Sequence, residues 1–174
     1  GPQGQVDLTQ LRSACDDRTR LISVSWVSYL TGWRLDLDAV ATLAREAHAL
    51  LLVDAIQGLG VFPVDVRRTP IDFLAADGHK WLLGPEGAGL LYVRQRHIET
   101  LRPTGVGWHS VRASHEFRHD RFELRSDAAR FEGGSANMPG LHALGASLEL
   151  LQSAGLSPEQ SPVATRVLEL TNQL

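Results

Sequence analysis

Leu50-Leu51-Leu52-Val53-Asp54 and Phe73-Leu74-Ala75-Ala76-Asp77-Gly78-His79-Lys80 are the two stretches on which the fold turns. Each opens with a short apolar run that lacks polar alternation, and each run ends on an aspartate. A strand apolar on both sides must be covered on both sides, which is the situation of a parallel sheet with flanking helices. The expected class is therefore α/β, with a mostly parallel sheet.

Working outward, residues 20–25 read as another short buried strand, apolar or small with no breaker. Residues 36–50 carry Leu37, Val40, Ala41, Leu43, Ala44 and Ala47 at helical spacing, with Asp36 as N-cap. Residues 61–66 are partly extended and interrupted by Pro63. Residues 84–89 form a glycine-rich turn before a strand over 90–93, and a short helix is expected over 95–101. No period holds from 103 to 130, which reads as a long irregular loop. Residues 131–137 are a glycine-containing turn. Residues 139–153 are helical, with Leu141, Leu144, Leu148 and Leu151 on one face, and a last helix over 161–174 runs to the end without a stop signal. The chain is expected to be one domain over 1–174 and part of a longer protein.

Composition narrows the chemistry mainly by exclusion. The chain has 174 residues, 43% hydrophobic and 21% charged, with a formal net charge of −3. That balance gives no basic surface for nucleic acid or an anionic membrane. No apolar run approaches the roughly 20 residues that span a bilayer, and no leader pattern opens the chain. A cytoplasmic protein is expected. The single cysteine, Cys15, permits neither an internal disulfide nor a thiolate cluster, and no metal site is expected. His109, His115 and His119 lie among Arg112 and Arg118 and read as a solvated loop. The glycines of 84–89 lack the following Lys-Ser or Lys-Thr of a phosphate loop and read as a tight turn. Trp26, Trp33, Trp81 and Trp108 read as packing residues; Trp33 and Trp108, lying in turns, could instead line a substrate entrance.

One bias is informative. Among 17 basic residues, Lys80 is the only lysine. Arginine serves wherever only charge matters, but its guanidinium stays protonated and cannot replace lysine as a nucleophilic amine. Lys80 follows the end of one apolar strand, and Asp54 ends another, where parallel sheets present ligand-binding side chains. Two readings follow: a structural ion pair, or a pyridoxal-phosphate (PLP) site with the carboxylate at the pyridine nitrogen and the lysine at C4′.

The stretch from Leu51 through Asp54 and Gln57 to Gly60, followed by that from Asp72 through Gly78-His79-Lys80-Trp81 to Val93, closely resembles class V aminotransferases. Phe131-Glu132-Gly133-Gly134-Ser135-Ala136-Asn137 resembles that family's Phe-Glu-x-Gly-Thr-x-Asn turn. The likeness runs from about residue 7 to 152. It implies part of the large domain of a PLP-dependent transferase of fold type I. By resemblance, Lys80 is the catalytic Schiff-base lysine, Asp54 the pyridine-nitrogen partner and Gln57 the residue beside the ring hydroxyl. His79 and Ser135 are implied as phosphate contacts, Ser135 to the cofactor of a second subunit, so a homodimer is implied as well.

Two positions depart from the desulfurase branch of that family. Asp77 stands where desulfurases carry a phosphate-binding serine, and Tyr29 stands where they carry asparagine after Val-Ser. A carboxylate facing a phosphate is repulsive, so Asp77 must point elsewhere or the phosphate must lie differently. Cys15 lies upstream of the site, unlike the desulfurase nucleophile. The resemblance implies an upstream phosphate-binding part and a C-terminal small domain beyond these residues. The expected activity is that of an aminotransferase-like enzyme on a small amino substrate, with cysteine desulfurase or epimerase chemistry as one alternative. A non-catalytic remnant or interaction module is the other.

Overall fold

The structure, a computed structural model, describes residues 4–116 and 122–173; His119 and Arg118 lie outside them. Its elements run α1 (Leu8–Ala14), β1 (Leu21–Ser25), α2 (Leu37–Glu46), β2 (Leu50–Asp54), β3 (Phe73–Asp77), β4 (Gly89–Val93), α3 (Met138–Ser153) and α4 (Pro162–Thr171), with 3-10 turns at Gln95–His97 and Ala128–Phe131. The four strands form one sheet in the order β1-β2-β3-β4. The first two pairings are parallel and β3–β4 is antiparallel. The mostly parallel sheet follows from the apolar runs. The reversal at β4 follows from the short glycine-rich link after Lys80, because a parallel return needs a longer crossover.

The two sheet faces are unequal. Ile22, Leu51, Val53, Leu74 and Ala76 point to one side and join α2, α3 and α4 in the main core through Val40, Leu43, Leu144, Leu151 and Ala164. On the other side only the lower rows are covered: Phe73 and Val93 pack with Ile98, Leu101 and Phe131. The upper rows lie open, with Leu91 52% exposed, and at the β1 edge Leu21 is 48% exposed.

Several boundaries differ from expectation. Asp36 does cap α2, accepting from the Asp38 and Ala39 N–H groups. The helix then stops at Glu46, because His48 turns the chain at φ 52° and Leu50 already belongs to β2. The last helix closes at Thr171 with Asn172 as its C-cap instead of running through the terminus. Residues 95–101 form only a 3-10 turn followed by turns. α1, held at its start by the Asp7 carboxylate, carries no buried residue and so left no apolar stripe in the sequence. Of the four tryptophans only Trp26 is buried, tilted against Phe62. Trp33, Trp81 and Trp108 are exposed, which corrects their reading as packing residues.

Candidate functional site

Parallel register lines up the strand ends. Ser25 pairs with Asp54 across β1 and β2, and Asp54 pairs with Ala75 across β2 and β3. Cross-strand partners share a face and alternate residues return to it, so Ser25, Asp54, Ala75 and Asp77 all face the side the helices leave open. Asp54 is exposed there, yet its carboxylate is held. Oδ2 accepts from the Ser25 hydroxyl at 3.3 Å and Oδ1 from the Ile56 N–H at 3.1 Å. Ser25 was not a candidate in the sequence. Its strand was legible, but only the register sets it beside Asp54.

Gln57 lies in the turn after β2, half-buried, where the Ala55 carbonyl accepts from the N–H groups of Gly58 and Leu59. Lys80 lies three residues past the end of β3, in a turn closed by the Gly84 N–H to the Gly78 carbonyl at 2.8 Å. The Lys80 carbonyl accepts from Leu83 N–H, and the Ser147 hydroxyl of α3 donates to the Leu83 carbonyl. Among the described residues no ion pair or hydrogen bond engages the Lys80 amine, so the expected alternative of an Asp54–Lys80 structural pair is not what the structure shows. The turns of Gln57 and Lys80 touch through Gly60, at φ 98°, where a side chain would overlap the Trp81 carbonyl.

Asp77 and His79 form a local unit. Asp77 Oδ1 accepts from the Gly78 N–H at 2.6 Å, and Oδ2 lies 3.4 Å from His79 Nδ1. Asp54 and Asp77 line one open cleft together with Gly89, Leu91 and Glu132. Ser135 sits on the adjoining cleft, of about 740 Å³, with His109, Arg125, Glu132 and Asn137. The two clefts share Glu132 and the strip Gly87, Ala88 and Gly89. Asn137 ties them together: it caps α3 through Gly140 N–H and donates to the Gly87 carbonyl at 3.2 Å. His109 is stacked on Trp108 with 3.8 Å between ring centroids, and His115 is exposed. Among the described residues no group of three or more His, Cys, Asp or Glu could hold a metal, and no helix is long and apolar enough to cross a membrane.

The one buried carboxylate among the described residues lies at the opposite sheet end. Asp72 is 3% exposed; it accepts from Leu51 N–H at 3.0 Å and Arg96 at 2.6 Å, with His97 Nε2 at 2.7 Å. Burial pushes its carboxyl upward, but the Leu51 N–H, His97 and Arg96 outweigh that and hold it below its ordinary value. It clasps the start of β3 to β2 and to the segment after β4, and its role is structural.

The class-V aminotransferase family model matches residues 1–172. The chain belongs to this family. A probable cysteine desulfurase of Methanothermobacter thermautotrophicus is 37% identical over 153 residues, 88% of this chain and 38% of that protein. The uncharacterized aminotransferase YcbU of Bacillus subtilis is 32% identical, over 93% of this chain and 42% of its own. Among solved structures, the cystine C–S lyase C-DES in complex with its product cysteine persulfide aligns with a TM-score of 0.79 and 30% identity, over 91% of this chain and 42% of that one. A variant of the same lyase carries glycine covalently linked to its PLP cofactor. The sheet of this chain is thus the fold-type-I arrangement. The chain spans about two fifths of the length of these relatives.

Proposed function

We propose that these residues form the lysine-bearing half of a PLP site in an enzyme that acts at the amino group of an amino acid. The observation that carries the reading is the unengaged Lys80 amine just beyond β3, beside a neighbouring strand that ends in the held carboxylate of Asp54. The residues fit the cofactor: a carboxylate fixed by two donors on an open cleft, the chain's one lysine in the turn after the neighbouring strand, and Ser135 on the adjoining cleft. PLP, when bound, supplies an electron sink for a carbanion at the substrate α-carbon. Asp54 keeps a proton on the pyridine nitrogen, and Ser25 fixes the plane of its carboxylate. Gln57 offers its amide to the ring hydroxyl. Lys80 would tether the cofactor through its amine, be freed from it when the substrate's amine takes its place, and then take and return the proton at the substrate α-carbon. Ser135 offers its hydroxyl to a phosphate, that of a second subunit's cofactor if the whole protein is a homodimer.

Cleavage of a carbon–sulfur bond is the favoured reaction, supported by the desulfurase and cystine lyase relatives. Transamination is the second reading, motivated by Asp77 and Tyr29, which depart from the desulfurase pattern, and by the likeness to YcbU. The test of the site is direct. The chain is mixed with PLP, reduced with borohydride, digested and mapped. A pyridoxyl label on Lys80, absent in Lys80→Ala, is expected. A folded chain that takes no label there refutes the reading and leaves the scaffold alternative. The reaction is separated in the whole protein: sulfur released from cysteine supports cleavage, and amino-group exchange with a keto acid supports transamination.

A further inference from the structure

The cleft that holds Asp54 has an electrostatic difficulty. Asp54, Asp77 and Glu132 all line it, and a phosphate monoester brought beside Asp77 would meet a like charge. The geometry gives that charge partners of its own on the strand–turn junction. Asp77 Oδ1 is taken up by the Gly78 N–H at 2.6 Å, and Oδ2 is turned to His79 Nδ1 at 3.4 Å. Each oxygen thus has a neighbour within the chain, while the side chain stays 40% exposed on the cleft. A carboxylate beside one ring nitrogen favours the tautomer that carries its proton on that nitrogen. The other nitrogen, Nε2, has no partner among the described residues, and the ring is exposed enough to reach solvent or a ligand. The backbone fixes the unit: Gly78 N–H also donates to the Ala88 carbonyl at 2.7 Å, so Asp77 and His79 are carried on the strand–turn junction that carries Lys80.

We propose that Asp77 and His79 act as one carboxylate–imidazole unit, in which Asp77 positions His79 so that its Nε2–H donates to the phosphate of the cofactor. This rests on the PLP reading above. Asp77 is then a positioning residue, and its carboxylate supports anion binding through His79 instead of opposing it.

Two measurements on the same chain test this. In nitrogen-15 spectra of histidine-labelled protein without PLP, His79 is expected to carry its proton on Nδ1. Asp77→Ala is expected to lose that preference, and Asp77→Asn, which keeps an acceptor, to retain part of it. In the second, binding of PLP is compared with binding of pyridoxal, which lacks the phosphate. Asp77→Ala is expected to lower the preference for PLP about ten-fold, the effect of one charge-assisted hydrogen bond, with pyridoxal binding unchanged. A His79 proton on Nε2 alone in the unsubstituted chain overturns the proposal, as does a preference for PLP that stays equal or rises in Asp77→Ala. Absence of a Lys80 label in the unsubstituted chain instead refutes the cofactor reading, and with it the anion role; the nitrogen spectra, recorded without cofactor, still judge the pair.

Discussion

At the scale of single residues, two carboxylates in similar strand contexts do different work. Asp72 directly precedes β3 and is sealed by Leu51, Arg96 and His97, whereas Asp54 closes β2 and stays exposed. Removing one partner of a buried ionic cluster leaves the others uncompensated, so Asp72→Ala should cost about 3 kcal/mol of unfolding free energy, read from urea denaturation near pH 7. The pH dependence follows from the depressed carboxyl of Asp72. Its stabilisation is present above the ordinary value of 3.8 and fades as pH falls through the lower value of the folded state. The gap between wild type and Asp72→Ala should therefore narrow in strong acid; a gap unchanged from pH 7 to pH 2 would contradict this. Ser25→Ala removes one donor to Asp54 and should weaken PLP binding about 3- to 10-fold in fluorescence titration, with little loss of stability. Asp54, Lys80 and the oddity of Asp77 were legible as residues. Ser25 and the Asp72 clasp were not, because each gains its meaning from a partner on another strand.

At the scale of elements, the site is a junction of turns. Gly60 is the contact between the turn bearing Gln57 and the turn bearing Lys80, at φ 98° and against the Trp81 carbonyl. Gly60→Ala adds backbone strain and a steric overlap, and should cost at least about 2 kcal/mol. Because it separates the two turns, it should also slow labelling of Lys80, measured by mass spectrometry on the fraction that remains folded. Caps were readable where the side chain serves its own helix: Asp36 at α2 is a local signal, and Asp36→Ala should lose about 1 kcal/mol. Asn137 was quoted in the sequence only as part of a turn. Its second task, donating to Gly87 fifty residues away, depends on how α3 lies against the β3–β4 link. The end of α2 at Glu46 was hidden because Ala47 and Ala49 continue an apolar pattern after the backbone has turned at His48.

At the scale of the whole molecule, the sheet is helix-covered on one side and half-open on the other. Leu21 and Leu91 stand exposed on the open face, and β1 pairs with β2 alone among the described strands. Open edges and apolar faces attract further chains. Sedimentation velocity should show this chain associating as its concentration rises, and Leu91→Lys should shift the distribution toward monomer. A chain that stays monomeric throughout would show that this face is not adhesive.

Local sequence was enough to determine the α/β class, the strand runs and the cap at Asp36, and to single out Asp54 and Lys80 as candidates. Apolar continuity, capping side chains and a solitary lysine are properties of short segments and can be read there. Tertiary structure alone decided which residues assist them. The Ser25–Asp54 contact is set by strand register, the open cleft by which sheet face the helices cover, and the turning of Asp77 toward His79 by the backbone after β3. Register, coverage and side-chain direction are long-range outcomes of packing, fixed only when the chain folds.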